Sequence, residues 1–151
     1  MKAARTFLLI DDDSDDRELF TEALAAVNPV VDCDLAMDGE EAFLQLASRR
    51  IKEPDVIFLD INLPVMNGWQ FLQKLKTYDG LKHIPVIMYS TSSEQSDRET
   101  ANSLGASCFL TKPHTYGHLK RLLQQIAVAA QQTNPATAIC KVIASYRSET
   151  W

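Results

Sequence analysis

The segment Thr6-Phe7-Leu8-Leu9-Ile10 runs directly into Asp11-Asp12-Asp13, and Val56-Ile57-Phe58-Leu59 runs into a single Asp60. Each apolar run is too short for a buried helix and reads as a buried strand. In an open α/β sheet, ligands bind just beyond the carboxyl ends of the strands. Two neighbouring parallel strands therefore bring Asp11, Asp12 and Asp60 to one place. Two unit charges about 4 Å apart repel by roughly 4 kcal/mol at an effective dielectric near 20. Such a cluster binds a cation, holds a proton or is offset by a lysine. Oxygen-only donors in an incomplete cage favour Mg²⁺, which keeps waters and shares a phosphate.

The rest of the chain alternates in the same way. A helix is predicted from about Asp15 to Val27, with Ser14 as N-cap and Leu19, Phe20, Leu24 and Val27 on one face. Val31, Cys33 and Leu35 alternate with polar or small residues, as in a half-exposed strand. Asp38, with Glu41 three residues on, opens a second helix in a capping-box-like arrangement. Strand three ends at Leu59. Pro64 and Asn67-Gly68 mark a loop before a helix carrying Trp69, Phe71, Leu72 and Leu75. Val86–Tyr89 is the fourth strand, and a polar helix from about Glu94 to Leu104 ends at Gly105. Ser107–Leu110 is the fifth strand. A fifth helix, about Thr115 to Gln131, carries Leu119, Leu122, Leu123, Ile126 and Val128. Five strand-helix units with short connections imply a parallel sheet covered on both faces.

Composition narrows the class. A chain of 151 residues fits one domain, and 46% apolar with 23% charged residues is ordinary for a globular protein. A net charge of −5 argues against non-specific nucleic-acid binding. Beyond Lys112 the basic residues Lys120, Arg121, Lys141 and Arg147 face only Glu149, which reads as a solvated helix face. Cys33, Cys108 and Cys140 lack paired spacing and read as small thiols of a reducing compartment rather than disulfides or zinc ligands. His83, His114 and His118 have no ligand pattern around them and read as surface residues. Met1–Arg5 leads straight into a strand without a signal-peptide core, and no apolar run reaches spanning length. A cytoplasmic protein without membrane partners is expected.

Ser90 ends strand four and Lys112 follows strand five. On a parallel sheet both join the carboxylates at one rim. A carboxylate nucleophile, a metal site, a hydroxyl and a cation suit transfer of a phosphoryl group onto Asp. The motifs are Leu8-Leu9-Ile10-Asp11-Asp12, then Asp60-Ile61-Asn62-Leu63-Pro64-Val65-Met66-Asn67-Gly68, then Met88-Tyr89-Ser90-Thr91-Ser92, then Lys112-Pro113. In this order and spacing, from about Thr6 to Gln131, the chain resembles a two-component response-regulator receiver domain. The resemblance implies a flavodoxin-like (βα)5 fold with strand order 2-1-3-4-5.

It also implies roles. Asp60 is the phosphoacceptor. Asp12 binds Mg²⁺ directly, Asp11 largely through water, and the Asn62 carbonyl completes the set with Asp60. Ser90 is the switch hydroxyl and Phe109 the switch aromatic. Lys112 binds the phosphoryl group, Lys112-Pro113 is a cis peptide, and Asp13 has at most a supporting role. The partners are a histidine kinase or phosphotransfer protein and a downstream protein target. The output face is formed by helix four, strand five and helix five. Residues 1–133 form the receiver and 134–151 an extension. Too little chain follows helix five for an output domain, so a stand-alone receiver is expected.

Three alternatives stand beside this reading: a phosphorelay intermediate, a pseudo-receiver that binds without being phosphorylated, and a haloacid-dehalogenase-like phosphatase. Asp11-x-Asp13 resembles the opening motif of the last, but the acidic pair that family carries after its lysine is missing. In the extension, Ile139, Val142, Ile143 and Tyr146 recur at helical spacing. This stripe predicts an extra helix, with strand pairing of Ala138–Ser145 as its competitor. It packs on its own domain or joins a partner or second copy, giving a homodimer.

Overall fold

The computed structural model describes residues 5–150, so Met1–Ala4 of the N-terminal reading lie outside the described residues. The elements run β1 (Thr6–Ile10), α1 (Ser14–Val27), β2 (Asp32–Ala36), α2 (Gly39–Ala47), β3 (Val56–Leu59), α3 (Gly68–Thr77), β4 (Val86–Ser90), α4 (Gln95–Ser103), β5 (Cys108–Thr111), α5 (Tyr116–Ala129) and α6 (Pro135–Thr150). The strands form one sheet in the order β2-β1-β3-β4-β5, parallel throughout. This is the doubly wound, flavodoxin-like order.

The period-2 alternation of strand side chains divides the core in two. Phe7, Leu9, Val56, Phe58, Ile87, Tyr89 and Leu110 face α1, α5 and α6. Leu8, Ile10, Ile57, Leu59, Val86, Met88 and Phe109 face α2, α3 and α4. Both faces are covered, so the strands read as continuous apolar runs. Phe7, Phe20, Phe58 and Tyr89 meet edge-on or tilted at centroid distances of 5.2–6.3 Å. Each fully buried large side chain here contributes about 1.5–3 kcal/mol.

Several local expectations are corrected. The N-cap of α1 is Asp13, not Ser14: its carboxylate accepts from the N–H groups of Asp15 and Asp16. Leu19 and Val128, assigned to apolar faces, are exposed, and Ala23 and Ala127 take the buried positions. Both misassigned residues lie at the margin of a stripe that periodicity alone drew too wide. Leu35 is also exposed, because β2 is an edge strand. Asp38 caps α2 as expected, although Glu41 reaches back to the N–H of Met37 rather than that of Asp38. Gly105 closes α4 at φ +95°, a conformation that favours glycine.

The segment beyond Asn134 is a helix. Ile139, Ile143 and Tyr146 enter the core beneath α5, and the Tyr146 hydroxyl donates to the His118 carbonyl at 3.2 Å. Cys108 of β5 and Cys140 of α6 form a disulfide with Cα atoms 5.9 Å apart, which corrects the reading of three free thiols. The two cysteines are 32 residues apart in sequence and become neighbours only when α6 packs. Cys33 is free, and burial pushes its thiol up to about 12.

Candidate functional site

Four strand ends build one polar rim. The N–H of Asp11 donates to Ala36 of β2, and the N–H of Asp60 donates to Ile10 of β1. These bonds continue the sheet one residue past each apolar run and fix both carboxylates at its edge. Register carries the pattern on: Ile10 pairs with Leu59 and Leu59 with Met88, so Asp11 and Asp60 lie level and Ser90 stands one residue higher. Ser90 pairs with Thr111, and the N–H of Lys112 donates to the Ser90 carbonyl at 2.7 Å.

The Lys112 ammonium is the centre of the site. It donates to Asp11 at 2.7 Å, Asp16 at 2.8 Å and Asp60 at 3.1 Å. Its Nζ also lies over the Tyr89 ring, 5.3 Å from the centroid. Asp11 is fully buried, and Asp60 and Lys112 are nearly so. Burial alone would lower the lysine pKa, but the bonded carboxylates of Asp11 and Asp16, with Asp60 nearby, outweigh it and hold the ammonium above its ordinary range. Burial raises the Asp11 carboxyl to about 6, with hydrogen bonds from Lys112 and the Asp13 N–H opposing only part of that rise. A buried charge without such partners would cost several kcal/mol.

The donor set fits a hard divalent cation. Asp11, Asp12 and Asp60 each offer a carboxylate oxygen, and these oxygens lie within 4.8 Å of one another. Asp12 is exposed and Asp11 buried, so the cluster opens to solvent on one side. The one bonded ammonium leaves this cluster net negative. All-oxygen donors, incomplete coordination and excess negative charge are the conditions that suit Mg²⁺ or Mn²⁺.

The loop after β3 is held tightly against Asp60. The N–H of Ile61 donates to Asp60 Oδ1 at 2.8 Å, and the N–H of Gly68 returns to the Ile61 carbonyl at 2.8 Å. A Cβ on Gly68 would stand 2.2 Å from the Asp60 carbonyl oxygen, so only glycine allows this closure. Asn67 caps α3 in a full capping box with Gln70. Between them Val65 adopts φ +67°, a strained conformation for a β-branched residue. Asn62 is exposed on the same loop, within two residues of Asp60.

Ser90 is buried, and its hydroxyl accepts the Ser92 N–H at 3.2 Å. The Ser92 carbonyl accepts the Thr111 hydroxyl at 2.9 Å, and Thr111 accepts Arg98 Nη2 at 3.0 Å. The Arg98 guanidinium lies 5.0 Å from the ring centroid of Phe109, which is buried. A continuous polar path thus joins the Ser90 hydroxyl to the cation above Phe109.

Asp11, Asp12, Asp60, Ser90 and Lys112 gather at the rim as the sequence predicts. Asp13 caps α1 and donates its N–H to Asp11 at 3.0 Å. The expected cis peptide at Lys112-Pro113 is corrected: no cis peptide occurs among the described residues. Trans is the preferred form even before proline, by about 0.5–1 kcal/mol, and the sequence alone does not select between them. Asp16, Arg98 and Thr111 were not foreseen. Asp16 carried a signal, since it stands three residues after the true cap, but it is one of five aspartates in the run from Asp11 to Asp16, which obscured it. Arg17 was also missed; its Nη1 donates to the Asp11 carbonyl at 2.8 Å.

The chain is similar to known proteins in sequence and in fold. A family model described as response regulator receiver domain matches residues 7–126. Rcp1, a response regulator of Synechocystis, is 31% identical over 126 residues, covering 81% of this chain and 86% of Rcp1. The Mn²⁺-bound form of Rcp1 superposes with a TM-score of 0.75 at 28% identity, over 85% of this chain and 96% of that one. The phosphorylated cyanobacterial phytochrome response regulator RcpA superposes with a TM-score of 0.75 at 31% identity, over 82% and 91%. The protein-glutamate methylesterase of Bacillus subtilis is 35% identical over 108 residues, covering 70% of this chain but only 29% of that enzyme. The likeness to the methylesterase is thus confined to less than a third of its length. With the fold, the rim and the family model in agreement, the chain belongs to the response regulator receiver domain family of two-component systems.

Proposed function

We propose that the chain accepts a phosphoryl group on Asp60 from a histidine kinase or phosphotransfer protein and signals by protein contact. The carrying observation is the Lys112 ammonium, bonded to Asp60 and Asp11 beside three carboxylate oxygens within 4.8 Å of one another. An Asp60 carboxylate oxygen attacks phosphorus through a lone pair, and the bond from phosphorus to the donor imidazole nitrogen breaks. The donor ring, protonated on its other nitrogen, leaves as neutral imidazole and the group becomes an acyl phosphate on Asp60. Asp11, Asp12 and Asp60, with the Asn62 carbonyl, would hold Mg²⁺, which when bound neutralises phosphoryl oxygens. Lys112 places a second positive charge on those oxygens, and water later attacks phosphorus, breaking its bond to the Asp60 oxygen and releasing inorganic phosphate and the carboxylate. The Mn²⁺-bound Rcp1 and phosphorylated RcpA support this reading.

The switch begins at Ser90. A phosphoryl oxygen takes the Ser90 hydroxyl as donor and draws it from the Ser92 N–H. That loosens the Ser92–Thr111–Arg98 path and the cation that holds Phe109 inward. Phe109 lacks a phenol, so its two states differ by packing and this cation contact. The output face includes α4 and β5, while α6 lies against α5 and is bonded to β5. Because the apolar stripe of α6 is buried in its own core, dimerisation is not needed to cover it. The proposed setting is cytoplasmic, and no helix among the described residues is long and apolar enough to cross a membrane. The proposed activity is self-phosphorylation and self-dephosphorylation rather than turnover of a separate substrate.

Incubation with phosphorylated kinase, or with acetyl phosphate and Mg²⁺, tests the proposal. Labelling is expected in the unaltered chain and lost in Asp60→Asn. Undiminished labelling of that variant overturns the assignment. Steady hydrolysis of phosphate monoesters would instead favour a phosphatase.

A further inference from the structure

We infer that Asp16 is a positioning residue that competes with the phosphoryl group for Lys112 and thereby lowers the affinity of the site for it. The inference rests on the receiver reading above. Asp16 belongs to α1, while the other two carboxylates on Lys112 stand one residue past β1 and β3. Its bond to the ammonium, at 2.8 Å, is nearly as short as the 2.7 Å bond of buried Asp11. Yet Asp16 is absent from the group whose oxygens converge on one point, which comprises Asp11, Asp12 and Asp60. A cation drawn by that group engages Asp11 and Asp60 and leaves Asp16 as the undivided partner of Lys112.

Position makes Asp16 a partner that can let go. Its side chain is 34% exposed, against 0% for Asp11, so water can solvate it when the lysine turns away. Its backbone stays fixed, because the Asp13 carboxylate accepts its N–H at 3.2 Å and Arg17, the next residue, is tied to the Asp11 carbonyl. Phosphorylation therefore exchanges one anion for another on Lys112 without moving α1. Two effects act with the same sign. The Asp16–Lys112 bond must break before the ammonium turns to the phosphoryl group, and the Asp16 charge repels the incoming oxygens. A partly exposed, charge-assisted pair of this kind corresponds to roughly a three- to tenfold change in an equilibrium constant.

The test is titration with beryllofluoride, a phosphoryl mimic, at saturating Mg²⁺, followed by NMR of the backbone around Asp60. Asp16→Asn is compared with Asp15→Asn, which removes the same charge from the same turn without touching the lysine pair. Asp16→Asn is expected to tighten the adduct roughly three- to tenfold, with Asp15→Asn staying within about twofold of the parent. Asp16→Glu, which keeps a carboxylate within reach of Lys112, is expected to stay close to the parent. In the metal-free protein the Lys112 ammonium protons should exchange faster with water in Asp16→Asn and not in Asp15→Asn. Equal behaviour of the two asparagine variants, or a weaker adduct in Asp16→Asn, overturns the role of Asp16 while leaving the receiver reading intact. Absence of any adduct in the parent chain, or its persistence in Asp60→Asn, overturns the receiver reading and this inference with it.

Discussion

The rim and the flank covered by α6 use charge and apolar surface in opposite ways. At the rim, Asp11, Asp16 and Asp60 crowd one ammonium with Asp12 close to two of them, and burial raises Asp11 to about 6. Below the flank, Ile139, Ile143 and Tyr146 are buried among aliphatic and aromatic neighbours, and a disulfide ties α6 to β5. The rim holds strain in charge and needs a cation or an anion exchange to relieve it. The flank contributes stability and carries no titrating group of the site. Real proteins keep local conflicts where function requires them and compensate elsewhere. If that division is right, changes to the flank move stability and spare phosphorylation, while changes to the rim do the reverse.

The largest expected effect comes from ending the chain after Asn134. That removes three buried large side chains and the disulfide, and should cost about 5 kcal/mol or more in unfolding free energy. Denaturant melts measure it. An unchanged melt would show that α6 contributes nothing and would break the comparison. Cys140→Ser should cost about 2–4 kcal/mol, since the bridge closes a loop spanning 32 residues, and acetyl phosphate labelling should continue. If the variant keeps its stability but loses labelling, the flank is part of the site.

The rim should respond to pH. In the unfolded chain Asp11 titrates near its ordinary 3.8, and in the metal-free fold near 6. The folded state therefore binds more protons between these values, and the stability contributed by this group falls as pH rises through that window. The same proton competes with a cation. Mg²⁺ affinity should weaken as pH falls below about 6, approaching tenfold per pH unit. Calorimetry at pH 5 and pH 7 checks this, and equal affinities would contradict the assignment of Asp11 to the cation site. The smallest effect is local. Val65→Asn relieves a β-branched residue at φ +67° and should stabilise the fold by about 1 kcal/mol without altering the rim.

The fold was legible because five short apolar runs, each ending near a turn or polar signal, allow few arrangements besides a parallel sheet. The rim was legible because its polar residues stand at the last position of a strand or just past it, where register alone gathers Asp11, Asp60, Ser90 and Lys112. What depended on helix phase was less so. Choosing Ser14 as the cap of α1 shifts the helix by one residue and places Arg17 where Asp16 stands. Leu19 and Val128 were misassigned for a related reason: the edge of an apolar stripe is set by the neighbour it meets. The Cys108–Cys140 bridge was invisible because no local spacing announces it. It exists only through the packing of a helix beyond the part of the chain that resembles the family.

The central claim is that Asp60 receives the phosphoryl group. The most direct measurement is to phosphorylate the chain with acetyl phosphate and Mg²⁺, trap the acyl phosphate by borohydride reduction, and locate the modified residue by peptide mass spectrometry. One reduced residue, at Asp60, is predicted. Reduction at Asp11, Asp12 or Asp16 with Asp60 unmodified, or none under conditions that label a control receiver, would contradict the account.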